Sequence, residues 1–561
     1  MGANTNNTFD AIVVGSGISG GWAAMELCKK GLKTLMLERG RDVVHIKDYT
    51  SAMTNVWEFP DRLEKTNEQI KNYPIQSHCY AFNSGSEHFF VNDLENPYNQ
   101  VKPFAWFRGY QVGGKSLIWG RQCYRYSDLD FKANQEEGIG VDWPIRYKDL
   151  AAWYDYAEDF VGVSGKNESL SQLPDGHFLP PMEMNCLEEF MAEKIKSKFP
   201  DRVMTPARLA NLSAPHLGRG PCQYRNLCTR GCPFSGYFSS NSATIPAAQA
   251  TGNLSLRPFS IVTEVLLDEK TNKAKGVRVL DSETKEVFEF YAKIVFLNAS
   301  TLGTTQILLN SVSSRFPTGF GNSSGQLGHN VMDHISAAGA SGTFEGFSDK
   351  YYVGRRPGGI LIPRFQNLKG KDRDYLRGFG FQGAAEREGW ERLETQAGTG
   401  VDFKSQISKP GPWTVWLGGW GECLPYFDNQ VSLNKEKLDS HGQPTLNMDC
   451  TFRDNEFKMR KDMEASGKEI LELCGFKDIH GFQPDAPMGA TIHEMGTARM
   501  GKDPKTSVLN GNNQMHDVKN VFITDGSCMT SSGSVNPSLT YMALTARACD
   551  FAFKELKAGN I

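Results

Sequence analysis

A glycine-rich turn near the N-terminus constrains the fold of this chain more than any other feature. The stretch Gly15-Ser-Gly-Ile-Ser-Gly20 has the spacing GxGxxG. It follows an apolar run at residues 9–14, long enough for one buried strand, and it precedes residues with helical apolar spacing that extend to Lys30. A second strand-like run, 34–37, ends at Glu38, which lies 23 residues after Gly15. This order of elements is typical of a βαβ unit that binds a dinucleotide.

The residue types suit that chemistry. Glycines let a pyrophosphate approach the helix N-terminus, and a carboxylate at the position of Glu38 can bond the ribose hydroxyls. A purely structural βαβ unit remains open, and Glu38 itself could be an ordinary solvated strand-end carboxylate. The motif does not by itself choose between FAD and NAD.

The C-terminal region favours a flavin. Residues 520–527 form a strand-like run that reaches Asp525 and Gly526, and a helix-like run begins at Ser538, directly after Asn536 and Pro537. A helix N-terminus placed there can stabilise the electron-rich pyrimidine edge of a reduced flavin.

The order of these motifs resembles the glucose–methanol–choline (GMC) family of FAD-dependent oxidoreductases, almost from end to end. Further similar stretches are 108–116, a second glycine motif; 293–303, a strand and turn; 423–433, a strand of the substrate domain; and 493–501, which begins His-Glu-Met-Gly-Thr. The resemblance implies an α/β (α+β) fold, with a discontinuous Rossmann-like FAD-binding domain and an antiparallel-sheet substrate domain.

The expected domains follow from that likeness. Residues 1–330 are expected to form the FAD-binding domain, 331–485 the substrate-binding domain, and 486–561 the C-terminal part of the FAD-binding domain with the catalytic pair. The strand-like runs 414–417 and 430–433 predict an antiparallel sheet over the isoalloxazine.

The first segment carries two insertions, a cysteine loop at 219–234 and a connection at 45–107. Trp57, Phe89, Phe90 and Trp106 make the longer one aromatic. It is expected to be a lid, a substrate wall or a docking surface for a partner, or else to place these aromatic side chains in an ordinary core.

The resemblance also implies the cofactor site. Some relatives attach FAD covalently through a histidine just after the second glycine motif, whereas this chain has Ser116-Leu-Ile-Trp119 there, so non-covalent FAD is expected. The residues expected to contact FAD are Gly15, Ser16, Gly17, Ile18, Ser19, Gly20, Glu38, Arg39, Gly113, Gly114, Ser116, Val262, Ala299, Asp525, Gly526, Asn536 and Pro537.

A catalytic pair is expected from His493 and Asn536. Oxidation of a carbinol removes a hydride from carbon and a proton from oxygen, and an imidazole suits the second task. His493 is therefore expected to be the base, and the Asn536 amide to hydrogen-bond the substrate hydroxyl. A structural histidine and a helix-capping asparagine are the alternatives.

Three of the twelve cysteines are clustered. Cys222, Cys228 and Cys232 have the spacing C-x5-C-x3-C-P. Soft thiolates on a short loop suit an iron–sulfur centre, and three ligands suggest a [3Fe-4S] cluster. The arginines at 219, 225 and 230 are expected to offset thiolate charge. A zinc site with His216, a disulfide with one spare thiol, and inert loop cysteines remain open.

Composition excludes some partners. A net charge of -3 gives no electrostatic case for nucleic acid, and no apolar run reaches the roughly 18 residues of a membrane span. The polar N-terminus predicts that no secretory signal is present. The cysteine spacing resembles that of the flavin–iron–sulfur branch of the family. This resemblance implies a small export or chaperone-like partner subunit, a periplasmic location and a cytochrome c acceptor. Without such a partner, the chain is expected in the cytoplasm.

The predicted function is oxidation of a secondary hydroxyl of a sugar. Residues 525–540 resemble bacterial glucoside 3-dehydrogenases, which implies conversion of C3 of D-glucosides to a ketone. The alternatives are a C1-glucose or gluconate-type dehydrogenase, a sugar oxidase that uses oxygen, and a non-enzymatic flavoprotein electron carrier.

Overall fold

The computed structural model describes residues 7–336, 338–351, 354, 356–389 and 398–561. In chain order, the strands of the described residues are β1 (Thr8–Val14), β2 (Thr34–Leu37), β3 (Asn99–Gln100), β4 (Thr205–Pro206), β5 (Leu254–Arg257), β6 (Ser260–Asp268), β7 (Lys273–Asp281), β8 (Val287–Leu297), β9 (His329–Met332), β10 (Gly339–Phe344), β11 (Ile360–Ile362), β12 (Phe379–Arg387), β13 (Trp413–Gly421), β14 (Gln430–Leu438), β15 (Pro444–Asp449), β16 (Lys477–Phe482), β17 (Met495–Thr497) and β18 (Val521–Ile523). The helices are α1 (Ile18–Lys29), α2 (Asn67–Asn72), α3 (Asp128–Glu137), α4 (Tyr147–Val161), α5 (Cys186–Lys198), α6 (Ile245–Gln249), α7 (Thr301–Asn310), α8 (Gly400–Ile407), α9 (Asp454–Leu473) and α10 (Ser538–Ala558).

The βαβ unit lies at the centre of a mixed sheet. Its order in the described residues is β5-β2-β1-β8-β7-β6, and β18 also pairs with β8. The strands β5, β2, β1, β8 and β18 run parallel, whereas β7 and β6 add an antiparallel hairpin. All four residues of β2 are buried, as expected of a parallel strand covered on both faces. Because β1 and β18 pair with opposite edges of β8, the two ends of the chain meet in one sheet, as the GMC resemblance implied.

A second sheet forms the other half of the molecule. Its order is β16-β10-β13-β12-β11-β4, and its neighbouring strands are antiparallel. Helix α9 packs closely on it: a Cβ at Gly419 would lie 2.5 Å from the Met463 side chain, and one at Gly421 would lie 2.2 Å from Met459. Glycine on β13 therefore allows α9 to approach the sheet. The expected antiparallel sheet is confirmed.

One expectation about this sheet is wrong. Residues 414–417 lie in β13, but 430–433 lie in β14, which pairs with β15 in a separate sheet that also includes β3. Both runs have strand-like local patterns, and such a pattern does not specify which strand becomes the partner.

The insertion at 45–107 is divided between core and surface. Phe89 and Phe90 are buried in a cluster made largely by this segment, and Trp106 is buried in the main core. Trp57, in contrast, is 73% exposed.

The expected domain boundaries remain predictions. The strand β4, which lies within residues 1–330, joins the second sheet. In the part of the chain described, no helix combines the length and apolarity that a bilayer crossing requires.

Candidate active site

A cavity of about 690 Å³ lies at the carboxyl ends of the parallel strands. Gly15 follows β1 and Glu38 follows β2, while Asn298 follows β8 and Asp525 lies just beyond β18; all four line this cavity. In open α/β sheets, ligands bind at this edge. The cavity also reaches β12 and β13 of the second sheet, so it lies between the two halves of the molecule.

The three glycines of the N-terminal turn have different roles. Gly15 has a φ of +94°, and a Cβ there would lie 2.3 Å from the Asn298 carbonyl oxygen. A Cβ on Gly20 would lie 1.9 Å from the Gly15 carbonyl oxygen, so Gly20 allows α1 to pack on the turn. A Cβ on Gly17 would meet nothing within 4 Å, although Gly17 lines the cavity. Gly15 and Gly20 thus shape the turn, and Gly17 keeps space free for a ligand.

Glu38 is buried and hydrogen-bonded, which excludes the solvated-carboxylate alternative. Its Oε2 accepts from the Ser16 hydroxyl at 2.5 Å and its Oε1 accepts from the Gly40 amide at 3.1 Å. Burial raises the pKa of Glu38, and these hydrogen bonds oppose the shift. The Ser16 hydroxyl in turn accepts from the Gly113 amide at 2.9 Å, so the two glycine motifs and the acid form one network.

Most of the predicted cofactor residues lie on this cavity. Those that line it are Gly15, Ser16, Gly17, Ile18, Ser19, Glu38, Arg39, Gly114, Ser116, Val262, Ala299, Asp525, Gly526 and Asn536. The three others, Gly20, Gly113 and Pro537, do not line it. Their contacts with FAD remain a prediction.

The cavity fits a polar cofactor of the size of FAD. Asn298 Nδ2 and Tyr541 Oη are buried on its wall and have no hydrogen-bond partner among the described residues. Buried polar groups are normally satisfied, and a bound ligand would satisfy these two. Ser538, the first residue of α10, also lines the cavity, so the positive end of the helix dipole faces it. These groups would hold the dinucleotide and its flavin ring.

Two short strands bring His493 to the cavity. In the pairing of β9 with β17, Met332 lies opposite Met495, so the residues just beyond β9 lie beside those just before β17. The Asp333 carboxylate accepts from the amides of Gly489 at 2.8 Å and His493 at 3.2 Å, which fixes the segment before β17. Burial raises the pKa of Asp333 to about 6.

His493 and Asn536 are adjacent, as expected of a catalytic pair. Asn536 Nδ2 lies 3.3 Å from His493 Nε2, and Asn536 Oδ1 accepts from Gln382 Nε2 at 2.5 Å. All three residues line the cavity. The pKa of His493 lies well below its ordinary value, mainly because of burial and then because of His334 and Lys115. The imidazole is therefore neutral and able to accept a proton.

Sequence reasoning missed several residues of this wall. Lys115 forms an ion pair with Glu494 at 3.0 Å, and both line the cavity next to His493. Gln382, on β12, reaches the pair from the second sheet. Nothing local marks these positions, because their neighbours in space come from distant segments.

Two tryptophans on β13 form an aromatic wall. Trp416 and Trp420 line the cavity, and Gly418 lies between them on the same face of the strand. A Cβ on Gly418 would lie 3.2 Å from one indole and 3.3 Å from the other. The period-two spacing Trp-x-Gly-x-Trp is a signal that could have revealed this wall from the sequence.

The three cysteines of the loop lie near one another, but they do not form a metal site. All are free and half-buried. The pKa of Cys222 is raised to about 11, first by burial and then by Cys228 and Cys232. Among the described residues, however, no group of three or more His, Cys, Asp or Glu side chains is arranged to hold a metal ion. The arrangement thus does not support the predicted cluster.

The loop arginines were expected to offset thiolate charge, but their hydrogen bonds are made to backbone carbonyls. Arg225 donates to the Ala52 carbonyl at 2.5 Å, Arg230 to Thr54 at 2.9 Å, and Arg219 to Val161 at 2.7 Å. Their guanidinium groups therefore bond backbone carbonyls, two of them on the insertion 45–107. Arg121, which lines the cavity, interacts electrostatically with Cys222 and Cys228. Arg121 is distant in sequence, so no local pattern indicated it.

Comparisons with known proteins agree with this architecture. A family profile described as GMC oxidoreductase matches residues 9–336, and a second profile with that description matches 425–545. The chain is 27% identical to the 2-methyl-1,2-propanediol dehydrogenase of Mycolicibacterium austroafricanum, over 97% of this chain and 94% of the relative. It is 25% identical to the fructose dehydrogenase large subunit of Gluconobacter japonicus, over 99% and 100%.

Among solved structures, the pyridoxine 4-oxidase from Mesorbium loti is similar in fold. Its TM-score is 0.60 at 15% identity, and the match covers 97% of this chain and 98% of that one. At this identity the likeness concerns the fold alone.

Proposed function

The chain belongs to the GMC oxidoreductase family of FAD-dependent oxidoreductases that act on CH–OH groups, and from this we propose that it is a sugar dehydrogenase that oxidises a secondary hydroxyl. We propose C3 of a D-glucoside as the position that is converted to a ketone. The observation that carries the proposal is the neutral, half-buried His493 paired with Asn536 on a cavity that fits FAD.

The residues of the pair have distinct tasks in the proposed reaction. When bound, FAD supplies the acceptor for the hydride that leaves the carbinol carbon. His493 Nε2 accepts the proton of the hydroxyl group, and the Asn536 amide hydrogen-bonds the substrate oxygen and orients it. Gln382 holds the Asn536 amide in one orientation. The products are a ketone, a reduced cofactor and a protonated His493.

The aromatic wall on β13 favours a sugar substrate. Trp416 and Trp420 offer flat apolar faces to the CH groups of a pyranose ring, while Gln382 and Asn536 offer polar groups to its hydroxyls. The name of one relative, the fructose dehydrogenase large subunit, supports the same substrate class. The choice of C3 rests on the resemblance of residues 525–540 to glucoside 3-dehydrogenases.

We also propose that FAD is non-covalent and that a [3Fe-4S] cluster on Cys222, Cys228 and Cys232 carries electrons to cytochrome c or another external acceptor. The support for the cluster is the C-x5-C-x3-C-P spacing of the thiols in the sequence. The described residues do not form a metal site there, so no step of the reaction is assigned to it. Iron and acid-labile sulfide in anaerobically purified protein test the cluster, and release of FAD by acid precipitation tests the mode of attachment.

We propose that a partner protein docks on the insertion and the cysteine loop, either the acceptor or a small subunit that exports the enzyme to the periplasm. Exposed apolar side chains of these two segments support a docking face: Met53, Val56, Trp57, Tyr224 and Phe234. Hydrogen bonds from Arg225 and Arg230 join the segments into one surface. Such patches are typical of interaction sites.

Anaerobic mixing with methyl glucoside tests the main proposal. We expect the flavin to bleach and the product to be the 3-keto glucoside. His493→Ala should lower the rate of bleaching by roughly a hundredfold to ten-thousandfold, with FAD still bound, because the base is lost.

Each alternative predicts a different result. Bleaching by free glucose but not by methyl glucoside would indicate oxidation at C1, and reduction by gluconate alone would indicate a sugar-acid dehydrogenase. Rapid peroxide formation in air would indicate an oxidase. A flavin that no sugar reduces would indicate an electron carrier.

A further inference from the structure

A chain of hydrogen bonds passes through the catalytic pair and ends on a backbone carbonyl. His334 Nε2 lies 3.0 Å from the Gly533 carbonyl oxygen, and His334 Nδ1 lies 3.0 Å from His493 Nδ1. The two rings meet edge to face, with an interplanar angle of 83°. From His493 Nε2 the chain continues to Asn536 and Gln382. His334 is buried, with 1% exposure, and it is not part of the cavity lining.

The carbonyl sets the direction of the bonds made by the two imidazoles. A carbonyl oxygen only accepts, so His334 Nε2 must carry a hydrogen. Burial lowers the pKa of His334 to about 4, so at higher pH the ring is neutral and its Nδ1 is an acceptor. The hydrogen between the two rings must then belong to His493 Nδ1. His493 Nε2 therefore carries no hydrogen, and its lone pair accepts from the Asn536 amide.

We infer that His334 is a positioning residue that holds His493 in the Nδ1–H tautomer, so that Nε2 is the proton-accepting atom on the cavity. The inference rests on the proposed function and deepens it. A histidine base is active only in the tautomer whose free nitrogen faces the substrate, and the partner of its other nitrogen selects that tautomer.

His334 also has a task after proton transfer. When Nε2 of His493 takes the hydroxyl proton, its Nδ1 still donates to His334 Nδ1, so a neutral acceptor stabilises the new charge. The charged groups around the ring do not replace it. Lys115 opposes a positive charge on His493 and is paired with Glu494, while the Asp333 carboxylate accepts from the His493 backbone amide. Loss of His334 should therefore lower the basicity of His493.

A matched pair of substitutions separates this role from packing. Asn at position 334 can place an amide oxygen near the position of the imidazole Nδ1 and accept from His493, whereas Leu of similar size cannot. Leu has no donor, and the Asn amide is too short to reach the Gly533 carbonyl from the position of the imidazole Nε2. A purely structural contribution of that contact is therefore lost in both His334→Asn and His334→Leu.

The first measurement is the rate of anaerobic flavin reduction by saturating methyl glucoside between pH 5 and 9, with FAD content and Tm recorded. We expect His334→Leu to reduce the rate by roughly tenfold to a hundredfold and to shift the acidic limb of the profile to lower pH, because an acceptor for the imidazolium is missing. His334→Asn should recover most of the rate and the position of the limb. Equal losses in both variants, or no loss in His334→Leu, would overturn the inference.

A second measurement does not depend on the substrate. In protein labelled with 15N-histidine, the His493 signals, assigned with His493→Ala, should show a protonated Nδ1 and an unprotonated Nε2 in the wild type and in His334→Asn. His334→Leu should show a mixture of tautomers. A mixture already present in the wild type would refute the role of His334. If the tautomer result holds while methyl glucoside fails to bleach the flavin, the proposed substrate is wrong and the positioning role stands.

Discussion

The proposed catalytic pair, His493 and Asn536, and the cysteine loop are built in opposite ways. Around His493, each side chain has a polypeptide partner: His334 on one nitrogen, Asn536 on the other, and Gln382 behind Asn536. At the loop, the thiols of Cys222 and Cys232 accept only from nearby backbone amides, at 3.4 and 3.3 Å, and the three cysteines are not arranged around a metal position.

The difference shows what fixes each region. Strand pairing and buried hydrogen bonds hold the catalytic pair before any ligand binds, which is the preorganisation that catalysis requires. A thiolate-held centre, in contrast, gains much of its order from the metal itself. Arg225 and Arg230 attach the loop to the insertion through hydrogen bonds to backbone carbonyls. These hydrogen bonds do not involve the thiols.

The largest expected effect tests whether the two regions serve separate half-reactions. In the triple variant Cys222→Ser, Cys228→Ser, Cys232→Ser, we expect iron to be lost and reduction of cytochrome c to fall to background, because serine is a poor ligand for a soft metal centre. Flavin reduction by methyl glucoside should keep its wild-type rate. Steady-state cytochrome reduction and anaerobic bleaching measure the two separately.

The half-buried Cys186, outside the loop, provides the control: Cys186→Ser should leave both rates unchanged. If an iron-free triple variant still reduced cytochrome c at the wild-type rate, the loop would have no role in electron transfer. Of the two regions compared, only the proposed catalytic pair would then take part in the reaction.

A smaller effect tests how firmly the polypeptide holds the pair. Gln382→Leu removes the donor to Asn536 Oδ1, so the amide is free to rotate away from the substrate oxygen. A lost buried hydrogen bond of this kind costs about 1–1.5 kcal/mol, which corresponds to roughly a tenfold lower rate of flavin reduction. FAD content should not change.

Gln443→Leu is the matched control. Gln443 lines the same cavity, and its backbone amide donates to Asp439. Asp439 pairs with Arg39 at 3.3 Å, so Gln443 lies in the part of the cavity near Glu38. This variant should keep the rate of bleaching by saturating substrate. A full rate in Gln382→Leu would contradict the view that Gln382 orients Asn536.

The smallest expected effect concerns the aromatic wall formed by Trp416 and Trp420. Trp416→Ala and Trp420→Ala each remove one flat face, and we expect each to raise the KM for methyl glucoside by roughly twofold to tenfold, with kcat nearly unchanged, because the contact is made equally in substrate and transition state. Steady-state kinetics with a dye acceptor measure both constants.

Trp57→Ala, on the exposed insertion, should not alter the KM for the sugar with the dye acceptor. If it raised that KM as much as Trp416→Ala does, the aromatic wall would not be the sugar site, and the contrast between the cavity and the outer face of the insertion would be lost.

Short-range patterns were sufficient for much of the fold. The turn at Gly15–Gly20 is flanked by β1, α1 and β2 within one or two residues of the bounds that periodicity predicts, because each element buries its own apolar residues and glycine begins or ends it. The pairing of His493 with Asn536 was predicted from family resemblance, and the structure brings them together across 43 residues.

Contacts between segments that are distant in sequence could not be predicted in the same way. The run 430–433 has a strand pattern but no signal for its partner, so its sheet was predicted wrongly. His334 is a lone histidine in the sequence, and only the pairing of β9 with β17 brings it to His493. Arg121, which is about a hundred residues before the loop in sequence, interacts electrostatically with Cys222.

The sequence by itself determined the dinucleotide unit, the family and the residue types available for catalysis, because these depend on patterns over a few neighbouring positions. Only the tertiary structure decided which side chains share the cavity wall, which nitrogen of His493 is free, and how the thiols of the loop are placed. Those properties depend on contacts between segments hundreds of residues apart, such as Lys115 with Glu494, and on the burial that such contacts create.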